Sequence, residues 1–345
     1  ACSLYANTTG ANNTASGYRA LAANTCGNDN TAVGWSAMKC NTTGTHNVAI
    51  GRQALNTNST GGYNTVVGKQ ALYANTTGQR NTASGYRALF CNTTGVRNTA
   101  TGTCALKTNT TASYNTANGS HALLNNTTGC KNTASGYVAL KQNTTGSNNS
   151  AFGVLALEAN TTGHTNTASG YAALRCNTTG CYNSAYGNTA LGANTTATMN
   201  TGSGYSTLRC NTTGACNAAF GAQSLFCNTT GGCNVAVGKS AMQVNATGAG
   251  NVAVGHKALY CGCGSDNVAV GDRALLASTT GCENVAIGQR SMCSNTTGNT
   301  NVAVGQQTLV KNTTGSDNTA IGKSSMHENT TASNNTAVGR NTLNA

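Results

Sequence analysis

A tract of seventeen residues recurs twenty times along the chain, first starting at Asn13 and last at Asn335, and every start is an Asn. The spacing is constant except between Asn251 and Asn267, where one residue is missing. A short, strict period means that one small unit is stacked on copies of itself, because a unit of this size cannot bury an apolar face alone. Nothing interrupts the repeat. Residues 1–345 therefore read as one uninterrupted repeat domain, not the two domains that this length would otherwise favour.

Numbered from its Asn, each repeat has the same grammar. Site five is Gly in all twenty repeats, from Gly17 to Gly339. Site three is Ala in eighteen, with Val66 and Gly202 as exceptions, and site nine is always Leu or Met, as in Leu21 and Met38. Sites twelve to fifteen usually read Asn-Thr-Thr-Gly, as in Asn75 to Gly78. Every Lys, Arg, Asp, Glu and His falls at site six, seven, ten, eleven, sixteen or seventeen. Charged side chains are almost never buried unpaired, so three solvent-facing stretches alternate with three inward or tightly packed ones. That pattern describes a coil.

The fold class it predicts is all-β: a parallel β-solenoid (β-roll) of about twenty 17-residue coils. A helix is opposed by a Gly and a β-branched tract in every repeat. The absence of Pro suits a continuous ladder in which each backbone N–H is needed. Strands are expected at sites two to four and seven to ten, with turns at the Gly of site five and at Asn-Thr-Thr-Gly. Stacking at about 4.8 Å per coil gives a column of roughly 95 Å. Equivalent Asn side chains then hydrogen-bond to their neighbours above and below, offsetting the cost of burying them.

Sites four and six compensate each other. Ser16, Ser84 and Ser135 accompany Tyr18, Tyr86 and Tyr137, whereas Phe152 and Phe220 accompany Val154 and Ala222. Residues two apart in a strand share a face, so one bulky group fills one space. Site nine is the expected core, and Leu174→Asp should open the coil locally because an unpaired buried charge cannot be compensated.

The segments Asn47-Val-Ala-Ile-Gly51 and Asn251-Val-Ala-Val-Gly255, each followed by Ala-Leu, resemble the head repeats of YadA-like trimeric autotransporter adhesins. Similar Asn-Thr-Ala-Val-Gly arrays occur in some phage tail-fibre proteins. The resemblance covers nearly the whole chain. It implies a left-handed parallel β-roll, usually trimeric, exposed outside the cell and used for adhesion. The family's head repeat is shorter and poor in Cys.

Sixteen Cys are present, mostly at site eleven and at sites sixteen or seventeen, on either side of the Asn-Thr-Thr-Gly turn. Cys176 with Cys181, Cys210 with Cys216, and Cys227 with Cys233 are placed to close that turn. Stacked pairs such as Cys210 and Cys227 also fall near disulfide range; the alternative is free thiols. Pairing would imply an oxidising, extracellular setting. Cys261-Gly-Cys263 lacks the second ligand pair of a zinc site. No metal and no cofactor is expected.

Seventeen site-twelve Asn lie in Asn-X-Thr sequons: Asn7, Asn41, Asn58, Asn75, Asn92, Asn109, Asn126, Asn143, Asn160, Asn177, Asn194, Asn211, Asn228, Asn245, Asn295, Asn312 and Asn329. They are either a glycan row along one edge or a buried Asn ladder and turn. Both cannot hold at one residue whose amide is buried. Thr at sites thirteen and fourteen forms two columns, an arrangement that also orders water in ice-binding solenoids. The five His and seven acidic residues are scattered, so no acid–base pair or triad can be assembled and an enzyme is not expected.

Residues 1–6 and 340–345 both occupy sites six to eleven, with Leu4 and Leu343 at the recurring Leu site. The ends thus fall mid-coil and carry no capping segment. Solenoids normally need caps to cover open strand edges, so end-to-end stacking of copies through these coils is the expectation. The functional expectation is an extracellular, secreted structural protein that stacks head-to-tail into a filament. An adhesin or tail-fibre shaft binding a surface receptor is the alternative, and an ice-binding solenoid the second. The partners expected are the chain itself and an anionic surface or glycan, given a net charge of +12. No specific nucleic acid is expected, and no apolar run approaches the roughly 18 residues of a membrane span.

Overall fold

The computed structural model describes residues 2–344; Ala1 and Ala345, the outermost positions of the two mid-coil ends, lie outside the described residues. The chain falls into two compact units, Ala1–Ala172 and Ala173–Ala345. Each is a parallel β-solenoid with a coil about every seventeen residues, and there is no helix among the described residues. The first unit runs from β1 (Thr14–Ser16) to β10 (Thr167–Ser169), and the second from β11 (Ser184–Tyr186) to β20 (Thr336–Val338). All these strands are three residues long and occupy sites two to four. Within a unit each strand pairs in parallel with the next at the same repeat sites, as Thr14 opposite Thr31 and Ala15 opposite Ala32.

The alternation of a strand then sets the faces. Site three points inward and is fully buried, as at Ala32 and Ala49, while sites two and four point outward. This corrects the placement of site four among the inward positions. Ile50, Phe152, Phe220 and Ile287 are all 39–46% exposed. The compensation between sites four and six is therefore between outward side chains, and the Val and Ile of site four in the second unit form an external column, not core.

The second strand expected at sites seven to ten is absent. That stretch is a series of turns in which sites seven and nine both adopt left-handed backbone: Arg19 (φ 56°) and Leu21 (φ 51°) in the first full coil, Gln53 (φ 58°) and Leu55 (φ 51°) in the third. Site seventeen does the same at Asp29 (φ 56°). Such a conformation costs an L-residue roughly 1–2 kcal/mol. Two gains offset it at site nine. The N–H still joins the inter-coil ladder, Leu21 donating to the Ala37 carbonyl at 3.0 Å. Burying the Leu side chain completely contributes about 1.5–3 kcal/mol.

The interior is narrow and unusually polar. Site three Ala, site eight Ala and site nine Leu or Met supply the apolar half, with Ala32, Ala37 and Met38 all at 0% exposure. The other half is two columns of Asn. At site one, the Asn115 N–H donates to Asn98 Oδ1 (3.0 Å) and its Nδ2 donates to the Gly129 carbonyl (2.9 Å). At site twelve, Asn126 Nδ2 donates to Asn109 Oδ1 (3.0 Å) and to the same Gly129 carbonyl (2.9 Å), while Asn126 Oδ1 accepts from Asn143 Nδ2 (2.7 Å). The site-fifteen carbonyl is thus the inward acceptor that ties both columns of its own coil together. Satisfying each buried amide in this way is what makes an Asn core tolerable.

In the second unit the short coil starting at Asn251 keeps the site-one column in register. Asn267 N–H still reaches Asn251 Oδ1 (2.9 Å), and Asn251 Nδ2 finds Gly264 in place of the usual site-fifteen carbonyl (2.9 Å). The site-twelve column is interrupted instead, because Gly262 and Ser278 stand where Asn would be. With no side-chain donor following it, Asn245 turns its Oδ1 onto its own Gly248 N–H (2.9 Å). Asn228 Oδ1 is then left without a partner, the one such buried side-chain atom among the described residues.

One irregular core position gives a direct test. Gly202 replaces the site-three Ala in β12 (Thr201–Ser203), and a Cβ built there would lie 3.6 Å from Leu191 Cδ1 and 3.7 Å from Thr207 Cβ, ordinary contact distances. Gly202→Ala is expected to stabilise by about 0.4–1 kcal/mol by reducing the entropy of the unfolded chain. The check is a higher urea midpoint at unchanged slope; a lower midpoint would show that the position has no room.

Candidate functional site

The site-twelve Asn are the first group to place. Fifteen of the seventeen sequon Asn, from Asn41 to Asn312, are 0% exposed, and Asn7 and Asn329 are half-buried. Their Nδ2 atoms point inward: Asn58 Nδ2 donates to Asn41 Oδ1 (2.7 Å) and Gly61 O (2.9 Å), and Asn312 Nδ2 donates to Asn295 Oδ1 and Gly315 O (both 2.9 Å). A glycan is attached through that nitrogen, so a sugar cannot be carried by the folded coil at these buried positions. Of the two readings of Asn41, Asn58, Asn75, Asn92, Asn109, Asn126, Asn143, Asn160, Asn177, Asn194, Asn211, Asn228, Asn245, Asn295 and Asn312, the structure has the ladder.

None of the sixteen Cys is in a disulfide. Cys176 and Cys181, Cys210 and Cys216, and Cys227 and Cys233 are therefore not joined across the turn. At site sixteen the reason is visible: Cys130 Sγ folds back on the Thr128 carbonyl (3.4 Å) and accepts from the N–H of Ser113 in the preceding coil (3.4 Å), and Cys181 Sγ likewise lies 3.3 Å from Thr179 O. The thiol is turned along the column, away from site eleven.

Stacked cysteines are better placed. Cys210 N–H donates to Phe226 O, beside Cys227, and Cys233 N–H donates to Ala215 O, beside Cys216. These are successive coils, about 4.8 Å apart, inside the Cα separation a disulfide accepts. Burial, and then the neighbouring Cys210, push the Cys227 thiol up. Peptide mapping after exposure to oxidised glutathione is expected to show Cys210–Cys227 and Cys216–Cys233. Recovery of Cys210–Cys216 would mean that the turn is built differently.

The two Thr columns separate. Site thirteen is half-buried and its hydroxyl is used internally, Thr42 Oγ1 donating to Ser59 O (3.1 Å) and Thr144 Oγ1 to Thr161 O (3.1 Å), while site fourteen is exposed. The end positions differ as well. Leu4 is half-buried and donates its N–H to Ala20 O (3.1 Å), whereas Leu343 is 59% exposed and lines a hollow with Met326, Asn329 and Asn335. Among the described residues no three His, Cys, Asp or Glu side chains gather as a metal-ligand set. Among the described residues no helix is long and apolar enough to cross a membrane.

One constellation escaped the linear reading. Sites six, seven and ten project outward from the turn stretch, and stacking brings residues seventeen apart into contact. In the first unit Tyr18 and Trp35 stack with centroids 6.1 Å apart, and the Arg52 guanidinium lies 4.9 Å from the Trp35 ring centre. Two coils on, Lys69 and Arg87 both lie over Tyr86 (5.8 and 5.3 Å), and Arg87 also covers Phe90 (5.1 Å), itself stacked on Tyr73 (5.2 Å). A second such file lies at site seventeen, where His46 stacks on Tyr63 (4.7 Å) and Arg80 follows over the same ring (5.9 Å). The contacts between coils lie at a separation of seventeen in the sequence, while Arg87 meets Tyr86 and Phe90 within its own coil.

The second unit also has cations over rings, Arg209 over Phe226 (5.7 Å) and Lys257 over Tyr260 (5.6 Å), but acids join its charged residues. His256 lies 2.9 Å from Asp272, and Glu328 meets both Lys311 and His327. The hydrogen bond from His256 holds the Asp272 carboxyl below its usual range, and that from Lys311, then His327, does the same for Glu328. These groups are open to water, so the pairs contribute little to stability.

Scanned against models of known protein families and against curated proteins, the sequence matches none.

Proposed function

We propose that this protein is a structural element outside the cell, a β-solenoid that lengthens by stacking on further copies of itself. One observation carries the reading: the site-one bonds that hold one coil to the next recur throughout each unit, across the short coil as well. The site-one N–H to Oδ1 contact, for example, is 2.9–3.0 Å from Asn64 to Asn132. A coil so built is at once the product of one neighbour and the template for another. No catalytic chemistry belongs to this reading. Electron cryo-microscopy of the purified protein without reductant tests it. Fibres with an axial rise near 4.8 Å per coil are expected, and discrete rods at all concentrations would overturn self-stacking. The second reading, an adhesin or tail-fibre shaft, draws its support from the exposed ring-and-cation files.

A further inference from the structure

We propose that the outward face formed by sites six, seven and ten of the first unit is a docking track for a linear acidic polysaccharide carrying about one carboxylate or sulfate per sugar ring. Each of the six coils starting at Asn13, Asn30, Asn47, Asn64, Asn81 and Asn98 places one cation on this face: Arg19, Lys39, Arg52, Lys69, Arg87 and Lys107 in turn. The three sites share one open side, because the Arg87 guanidinium at site seven covers both Tyr86 at site six and Phe90 at site ten. No Asp or Glu occupies sites six, seven, ten or eleven in these coils. Asp29, the one acid among them, is at site seventeen and pairs with His46 at 3.5 Å. None of the six cations is in an ion pair, in contrast to Lys311 of the second unit.

The rings hold the cations in place. Arg19 lies over Tyr18 (5.3 Å) and Arg52 over Trp35 (4.9 Å), and Arg87 donates from Nε to Gln70 Oε1 (3.0 Å). A long side chain already confined loses less freedom on binding. The spacing then selects the ligand. One cation per coil is one charge per about 4.8 Å of rise, comparable to the advance of a single sugar ring, whereas duplex DNA carries a charge about every 1.7 Å. Single-stranded nucleic acid is held largely by bases stacking on open aromatic faces. Here those faces are taken: Trp35 is stacked on Tyr18 with planes 12° apart and capped by Arg52, and Tyr73 and Phe90 are parallel within 10°. What remains for a ligand is ring edges and fixed positive charge.

The experiment is titration calorimetry of the full chain with galacturonate oligomers of graded length at low salt, against oligothymidylate and neutral dextran. Affinity is expected to climb with oligomer length to about six sugars, one per cation-bearing coil, to fall steeply with added salt, and to exceed that for oligothymidylate at least tenfold. The triple variant Arg52→Gln, Lys69→Gln, Arg87→Gln should weaken galacturonate binding tenfold or more with an unchanged circular dichroism spectrum. The triple Lys257→Gln, Arg273→Gln, Arg290→Gln in the second unit removes the same charge and should leave binding within twofold. Equal losses from both triples would reduce the effect to net charge and overturn the track. Tighter binding of oligothymidylate would assign the face to nucleic acid instead, and no binding of galacturonate at low salt would remove the proposal outright.

Discussion

Asn126→Asp is expected to cost about 3–5 kcal/mol at neutral pH, the range for leaving an uncompensated charge inside a protein, and well beyond the cost of Asn126→Ala. Asn126 is fully buried, donates to Asn109 Oδ1 and Gly129 O, and accepts from Asn143. An aspartate keeps the acceptor but loses both donors, and its negative oxygen faces Asn109 Oδ1. Gly129 O retains Asn115 Nδ2, so the damage concentrates on the carboxylate and on Asn109. Burial disfavours the charged form and raises the carboxyl pKa in the folded state. A raised pKa means that the folded protein holds its proton more tightly than the unfolded chain. The penalty therefore shrinks as pH falls toward about 4, where the neutral acid donates to Asn109. Urea unfolding of the two variants at pH 7 and pH 4, with amide exchange across residues 98–148, reads this out. Equal penalties with no pH dependence would show that the site-twelve column is hydrated instead of dry.

Gly119→Ala is expected to cost about 3 kcal/mol, from a strained backbone of roughly 1–3 kcal/mol plus a contact that cannot relax. Gly119 sits at φ +137°, and a Cβ there would lie 2.5 Å from the Gly136 carbonyl oxygen and 2.8 Å from its carbon. Both are backbone atoms of the following coil, held in the ladder by the Gly136 N–H bond to Asn118 O (2.8 Å). The methyl group must push two coils apart. In a quasi-one-dimensional stack that damage stays local, so exchange should accelerate around residues 116–140 before it does near either end of the unit. The opposite sign expected for Gly202→Ala makes the pair informative. A small effect at Gly119 would mean that the coils are less closely stacked there than at site three.

Much of this molecule was legible because its interactions repeat. Charges confined to six sites marked the outside, Leu and Met at site nine marked the core, and recurrent Asn pointed to side-chain ladders; the first unit displays all three at Lys69, Leu72 and Asn75. The errors arose where chemistry and geometry part company. Leu at site nine looks like a strand residue and lies in left-handed backbone, and nothing in a Leu side chain announces that. Val and Ile at site four look like core and face outward, because a three-residue strand has room for one inward side chain. Asn-Thr-Thr fits a sugar acceptor and a turn equally well in sequence, and the inward direction of Asn Nδ2 belongs to the tertiary structure.

The sequence by itself determined the period, the parallel stacking and the Leu/Met core column at site nine, since a pattern repeated twenty times can be satisfied only by equivalent neighbours. Tertiary structure alone decided which way each side chain points and which residues meet across coils. Those outcomes depend on backbone angles and on a rise of about 4.8 Å, quantities set by ladder bonds between residues seventeen apart. Arg52 reaches Trp35 for that reason.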